Sequence, residues 1–354
     1  MRPFDTGILN WLGRFRRVEQ TKASARRGAV DHVIILDGTM SSLVEGQETN
    51  AGIAYKLLQE LLPAPGLSVR YEAGIQWQNW LSARDVVEGR GINRQIRRAY
   101  GALASRYRQG DRIFLLGYSR GAYAVRSLAG IIDRIGLLRA EAATERNVTQ
   151  VYRHYRFAPD SDAARQFAAQ HCHGEITIEM IGCWDTVKAL GLRAPLLWRW
   201  SEPAYAFHNT SLGPTTRHGL HALALDETRE AYAPVMWTNA AGVGQLEQVW
   251  FRGTHGDIGG QLGGFTEARG LSNIPLVWLL GRAERLGLEL PDGWQDRFAQ
   301  DPDAPSVGTS RGWGWLFLAR RRRVVGTDAS ECIYSSVGPG HRARAPVQAT
   351  SSTG

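Results

Sequence analysis

The stretch that most constrains this chain runs from Arg112 to Ile132. Ile113 to Leu116 is an apolar run without polar alternation, set between Asp111 and Gly117, and such a run predicts a strand buried on both faces. Gly117-Tyr118-Ser119-Arg120-Gly121 follows at once, and Ala122 to Ile132 has helical spacing. A chain passing from strand to helix through Gly-x-Ser-x-Gly reverses so tightly that a side chain at either glycine would collide with the neighbouring strand or helix. In this context a serine is held on a strained turn as a nucleophile. The pentad alone is short enough to arise by chance. The apolar run before it and the helical spacing after it give it weight.

The remaining segments alternate in the same way. His32 to Leu36 predicts the first strand, ending in Asp37-Gly38-Thr39, and Thr49 to Leu62 predicts an amphipathic helix stopped by Pro63 and Pro65. Ser68 to Ile75 reads as a second strand. Gly91 to Tyr107 reads as a basic helix with Ile92, Ile96, Tyr100 and Leu103 on one face. Residues 141–174 suggest a helical insertion, and Glu175 to Gly182 a strand running into Cys183-Trp184-Asp185-Thr186. Residues 192–215, rich in tryptophan and proline, read as a loop-rich cap, and Thr216 to Leu225 as a helix. Gln245 to Phe251 is the last strong strand, and Ile274 to Leu286 a closing helix. This order predicts an α/β fold of the α/β-hydrolase type: a mostly parallel sheet, helices on both faces, and a helical or loop cap insertion. The expected organisation is a basic N-terminal segment over 1–30, a catalytic domain over 31–345 and a disordered tail over 346–354.

Composition excludes several classes. Hydrophobic content of 43% and charged content of 21% are those of an ordinary globular protein. The net charge of +8 is arginine-rich and weighted toward the two ends, which suggests peripheral attraction to an anionic surface, such as a membrane, or to an anionic ligand. Ile8, Leu9, Trp11, Leu12 and Phe15 stand among the N-terminal arginines, as in a solvated leader helix, a frayed end or a membrane-surface segment. The chain has no zinc-finger spacing, RNA-binding aromatic signature or basic-zipper pattern, so no nucleic-acid partner is expected. Cys172, Cys183 and Cys332 form neither a disulfide framework nor a metal-ligand spacing, and read as buried thiols of a reducing compartment. Without a signal-peptide run or a bilayer-length apolar run, the default expectation is a cytoplasmic protein.

In an open parallel sheet, functional groups gather at the carboxyl ends of strands. Four expected strand ends carry reactive side chains: Asp37-Gly38-Thr39, Ser119, Asp185-Thr186, and His255 with Asp257. A serine needs a base to take its proton, and an imidazole needs a carboxylate to fix its tautomer and stabilise its cation. Ser119, Asp185 and His255 occur in the chain order of the α/β-hydrolase triad. Each also has a plain structural reading: Ser119 as a turn or N-cap serine, Asp185 as a capping carboxylate, His255 as a hydrogen-bonding loop residue. Asp257 competes with Asp185 for the role of acid, although its place two residues from His255 suits bracing the Gly256–Gly264 loop better. Backbone N–H groups near Gly38 and at Arg120 are the expected oxyanion donors, with Asp37 and Thr39 in support. A hard-cation site from Asp37, Asp185, His255 and Asp257 is the weaker alternative, because such a site has no need of an elbow serine. No metal or cofactor is expected.

These residues bring the chain to a family. It resembles the catalytic domain of type VI secretion phospholipase effectors through Ile34-Ile-Leu-Asp-Gly-Thr39, Glu48-Thr-Asn50, the block from Gly117 to Gly130, Gly182-Cys-Trp-Asp-Thr-Val187, His221 to Glu227, and Gln248 to Gly260. The pieces occur in the family's order over about residues 32 to 290. The resemblance implies a serine esterase acting on phospholipid acyl chains, with Ser119, Asp185 and His255 on the motif positions, and admits export as an effector. The expected function is therefore hydrolysis of lipid esters by a Ser-Asp-His triad. The alternatives are a soluble esterase or amidase with the same triad, or a non-catalytic basic protein binding membranes or partners on the same fold. The tryptophan-rich 192–205 region and the run from Trp313 to Arg323 are candidates for a surface facing anionic lipid, the tryptophans alternatively being core. Substrate head group and oligomeric state are left open.

Overall fold

The apolar run Ile113–Leu116 forms the middle of strand β3 (Arg112–Tyr118), every residue of which after Arg112 is buried. The computed structural model describes residues 28–74, 90–187, 211–238, 244–310, 319–338 and 341. The other strands are β1 (Asp31–Leu36), β2 (Leu67–Glu72), β4 (Ile178–Trp184), β5 (Thr216–Ala224), β6 (Gln245–Phe251) and β7 (Glu331–Ile333). They form a seven-stranded sheet in the order β2-β1-β3-β4-β5-β6-β7, with every neighbouring pair parallel.

Helices α1 (Asn50–Glu60), α2 (Arg90–Ala104), α3 (Arg120–Arg134), α4 (Glu145–Phe157), α5 (Asp162–His171), α6 (His255–Gly259) and α7 (Arg269–Arg285) complete the framework. The two-residue period of the strands divides their side chains between two cores. Ile34, Leu36, Ile113 and Leu115 pack with Ile96, Tyr100 and Leu103 of α2 and with Val125 and Leu128 of α3. Val33, Ile35, Phe114 and Leu116 pack with Leu57 and Leu58 of α1 and with Leu276, Leu279 and Leu280 of α7. Each such side chain, fully buried, contributes about 1.5–3 kcal/mol against solvent exposure. The sheet is thereby covered on both faces, which is what all-parallel pairing demands.

The same topology fixes where chemistry gathers. β1 lies between β2 and β3, so the chain leaves β1 toward one side and later returns to the other, opening a switch point between the carboxyl ends of β1 and β3. The registers Leu36↔Gly117, Tyr118↔Trp184 and Trp184↔Ala222 set those ends in one row. Asp37, Ser119 and Asp185 follow these ends directly.

Several expectations need correction. Thr216–Ala224 is a strand and not a helix, because its alanines and leucines lie between two strands that pair with it on both sides, and tertiary pairing outweighs helix propensity. The sheet continues past Gln245–Phe251 into β7. Cys172 and Cys183 are buried as expected, but Cys332, on β7, is exposed. The 141–174 insertion contains α4 and α5, and Val148, Val151 and Tyr155 of α4 join the core beside α2 and α3. The readings of residues 1–27, of 192–210 in the cap, of 311–318 and of the tail lie outside the described residues. No helix among the described residues is long and apolar enough to cross a membrane.

Candidate active site

β3 turns into α3 at Ser119, whose φ of 56° and ψ of −120° place it outside the regions ordinary residues occupy. Both elbow glycines are required sterically. A Cβ on Gly117 would come within 2.7 Å of Ala122 N, and one on Gly121 within 2.0 Å of Leu36 O, on the neighbouring strand. The Ser119 N–H donates to Trp184 O at 3.0 Å, tying the elbow to β4. Among the described residues the non-glycines with positive φ are Met40, Ser119 and Asp185, which follow the carboxyl ends of β1, β3 and β4. Such strain, of order 1–3 kcal/mol per residue, concentrates at functional sites.

The three residues expected to act together meet here. His255 Nε2 lies 2.8 Å from Ser119 Oγ across a separation of 136 residues, and His255 Nδ1 lies 2.6 Å from Asp185 Oδ2. With the ring proton on Nδ1, that nitrogen donates to the carboxylate and Nε2 accepts from the serine hydroxyl. Ser119 is 7% exposed, His255 3% and Asp185 0%, so the serine is largely covered. His255 stands at the start of α6, and its ring packs between Tyr118, 4.9 Å away between centroids, and Tyr232, 4.8 Å away.

Asp185 is held by more than the histidine. Its Oδ1 accepts from Ala224 N at 3.0 Å, and Arg323 donates from Nη1 to Oδ1 and from Nη2 to Oδ2, the latter at 2.8 Å. Burial by itself would raise this carboxyl's pKa, but the Arg323 charge and hydrogen bonds, with His255, hold it well below the usual carboxylate range. Thr186, next in the chain, donates its N–H to His221 Nε2 at 3.0 Å, and burial pushes that imidazole's pKa down to about 3. His221 is thus a neutral core residue bracing the Asp185–Thr186 turn.

Asp257 makes its bonds elsewhere. Its oxygens accept from Thr254 N at 2.7 Å, Thr254 Oγ1 at 2.8 Å, Ser306 Oγ at 2.5 Å and Val307 N at 2.8 Å. It closes a capping box on α6 and binds the 306–307 segment to it.

At the switch point, Asp37 accepts from Thr49 Oγ1 at 2.5 Å and Tyr71 Oη at 2.7 Å through Oδ2, and from Gly38 N at 2.6 Å through Oδ1. Burial outweighs these bonds and raises its pKa to about 6. Gly38, expected to offer its N–H to an oxyanion, directs it at Asp37 here. Thr39 O accepts from Gln261 Nε2 at 3.0 Å. The Thr39 and Arg120 N–H groups have no hydrogen bond among the described residues, and Arg120 opens the first turn of α3, where an N–H has no helical acceptor.

Several contributors were missed from the sequence. Arg323 was visible only as one of four consecutive arginines; Arg320, Arg321 and Arg322 are exposed, whereas Arg323 is 7% exposed and turned inward. Arg323 is thereby withdrawn from the lipid-facing surface expected of that run. Glu227, the last residue of the His221 block, accepts from His255 N at 3.1 Å and is held by Arg229 at 2.6 Å. The Arg229 guanidinium lies 4.1 Å from the Tyr232 ring centroid. No signal short of the fold would have joined these residues to the histidine. Among the described residues no three His, Cys, Asp or Glu side chains cluster to hold a metal ion. The arrangement is suited to removing a proton from a hydroxyl and holding the resulting imidazolium.

A family model described as T6SS, phospholipase effector Tle1-like, catalytic domain matches residues 31–282, a range that contains Ser119, Asp185 and His255. The uncharacterized protein YEL023C of Saccharomyces cerevisiae is 25% identical over 229 residues, 58% of this chain and 32% of the yeast protein. A crystal structure of an uncharacterized protein from Pseudomonas aeruginosa aligns with a TM-score of 0.42 and 16% identity, covering 77% of this chain and 49% of that one. The chain thus spans about a third of the yeast protein and about half of the solved one.

Proposed function

The chain belongs to the T6SS phospholipase effector Tle1-like catalytic-domain family, and on that footing we propose that it is a serine hydrolase of carboxylic esters whose substrates are phospholipids or other lipid esters. The observation that carries the reading is the unbroken contact from Ser119 Oγ to His255 Nε2 at 2.8 Å and from His255 Nδ1 to Asp185 at 2.6 Å.

In this reading Ser119 Oγ attacks the ester carbonyl carbon while His255 Nε2 takes its proton. The tetrahedral oxyanion is held by the Arg120 N–H and by an N–H of the Gly38–Thr39 turn. Collapse breaks the bond to the alcohol, which leaves with the proton returned by His255, and the acyl group stays on Ser119. Water then attacks the acyl-enzyme, again giving its proton to His255, and the fatty acid leaves as Ser119 is restored. Asp185 remains ionised throughout and stabilises the imidazolium.

The lipid preference is supported by the family and by the loop that follows the Gly38–Thr39 turn, where Met40, Leu43 and Val44 are 50%, 37% and 60% exposed. An apolar rim on a hydrolytic site suits acyl chains better than soluble esters. The test compares fatty-acid release from phosphatidylglycerol and phosphatidylcholine vesicles with hydrolysis of a short p-nitrophenyl ester. The expected result is a higher kcat/KM on the phospholipid, lost in Ser119→Ala. Equal or greater activity on the soluble ester would contradict the lipid assignment and favour a soluble esterase.

A further inference from the structure

Arg323 stands 138 residues beyond Asp185 in the chain and outside the family-matched range 31–282, yet its guanidinium is buried against that carboxylate. We propose that Arg323 is a positioning residue for the acid–base pair: its guanidinium fork fixes the Asp185 carboxylate toward His255 Nδ1, in the orientation that leaves Nε2 facing Ser119. The inference rests on the serine-hydrolase reading above.

The geometry is that of a fork on a carboxylate, with Nη1 on Oδ1 and Nη2 on Oδ2. The same two nitrogens also donate to Ala224 O at 2.9 Å and Tyr232 O at 2.6 Å. One side chain therefore joins the acid, the end of β5 and the turn whose Tyr232 packs on the histidine ring. A lysine could not make this set of bonds, because it lacks the planar pair of donors. The segment that carries Arg323 is itself secured on both sides. Before it, Arg320 forms an isolated bridge to Arg229; after it, β7 pairs with β6. Glu331, the first residue of β7, accepts through its carboxylate from Gly326 N, Thr327 N and Asp328 N, which lie between Arg323 and that strand, and from Trp250 Nε1 at 2.8 Å.

Among the described residues, Asp185 is the carboxylate that meets the His255 ring. Tyr118 and Tyr232 cover the ring, Ser119 meets Nε2, and Glu227, under the His255 backbone N–H, is paired with Arg229. Asp257 accepts from Thr254, Ser306 and Val307. The orientation of the ring therefore depends on that of Asp185, which the Arg323 fork sets.

The test follows the rate at which a fluorophosphonate probe labels the full chain between pH 5 and 9, for the wild type, Arg323→Lys and Arg323→Met, with thermal unfolding to verify folding. Arg323→Met, which loses the fork and the charge, is expected to lower the plateau rate by about 100-fold. Arg323→Lys, which keeps the charge without the fork, is expected to recover part of that loss and to lie about tenfold below the wild type. A folded Arg323→Met chain with the wild-type plateau overturns the proposal, as does Arg323→Lys with the full wild-type plateau or with no more than the Arg323→Met plateau. If Arg323→Met does not fold, the Lys variant decides alone, a loss of about tenfold supporting the proposal and a full wild-type plateau overturning it. A wild-type chain unlabelled at Ser119 at every pH removes the serine-hydrolase reading, and this inference with it, whereas a labelled wild type with unresponsive variants removes the inference only.

Discussion

His255 Nδ1 lies 2.6 Å from Asp185 Oδ2, seventy residues earlier, while Asp257, two residues further on, accepts from Thr254, Ser306 and Val307. Proximity in the chain and proximity to the ring are therefore opposed. Asp185→Asn is expected to lower turnover by about 10⁴-fold, because an amide no longer holds the tautomer that leaves Nε2 free to accept. Asp257→Asn is expected to cost about 1–3 kcal/mol in urea unfolding, through lost bonds at the start of α6, with a much smaller fall in rate. A larger loss of turnover in Asp257→Asn than in Asp185→Asn would reverse the assignment of the acid.

Asp37 predicts a pH dependence of stability. Its pKa rises from 3.8 to about 6 on folding because burial disfavours the charged form. The native state therefore holds this proton more tightly than the unfolded chain, and the contribution is fully present below about pH 4 and lost as pH rises through 6. The shift corresponds to about 3 kcal/mol. The stability difference between the wild type and Asp37→Asn, which cancels the other carboxylates, should fall by up to that amount between pH 4 and pH 7. A flat difference across this window would contradict the account of the switch-point carboxylate.

Thr49 joins the first helix to the same carboxylate: its hydroxyl accepts from Gly52 N at 2.9 Å and donates to Asp37 at 2.5 Å. Thr49→Val keeps the shape and removes both bonds, and is expected to cost about 2 kcal/mol. Thr49→Ser, which keeps the hydroxyl, should lie within about 0.5 kcal/mol of the wild type. Chemical unfolding at neutral pH measures both, and a loss in Thr49→Ser as large as or larger than that in Thr49→Val would contradict the assignment of the stability to the hydroxyl.

Gly121 admits no side chain because Leu36 O lies 2.0 Å from where its Cβ would stand. Gly121→Ala forces the start of α3 away from β1, costing about 3 kcal/mol or more, and carries Ser119 with it. Thermal unfolding and the rate of probe labelling should both fall, and a chain with unchanged stability and labelling would mean that the elbow relaxes freely.

Legibility in the sequence followed how local each signal was. The strand, elbow and helix around Ser119 were readable because an apolar run, two glycines and a helical spacing occur within about twenty consecutive residues. The Ser, Asp and His positions were readable because each follows a strand end. Thr216–Ala224 was misread because its alanines and leucines favour a helix locally, whereas pairing on both edges makes it a strand. β7 has only three residues, too few to show a period. Arg323 was not readable: in sequence it matches its three exposed neighbours, and only the sheet's extension beyond β6 turns it toward Asp185. The Gly38 N–H was expected to face the reaction, but the side chain of the preceding residue accepts it, a local detail that no residue pattern encodes.

The most direct test of the central claim is intact-mass and peptide mapping of the full chain after treatment with a fluorophosphonate probe. The account predicts one adduct, on Ser119, absent in Ser119→Ala and formed at least about 10³-fold more slowly in His255→Ala. A folded wild-type chain that takes up no probe, or takes it up equally when Ser119 is replaced by alanine, would contradict it.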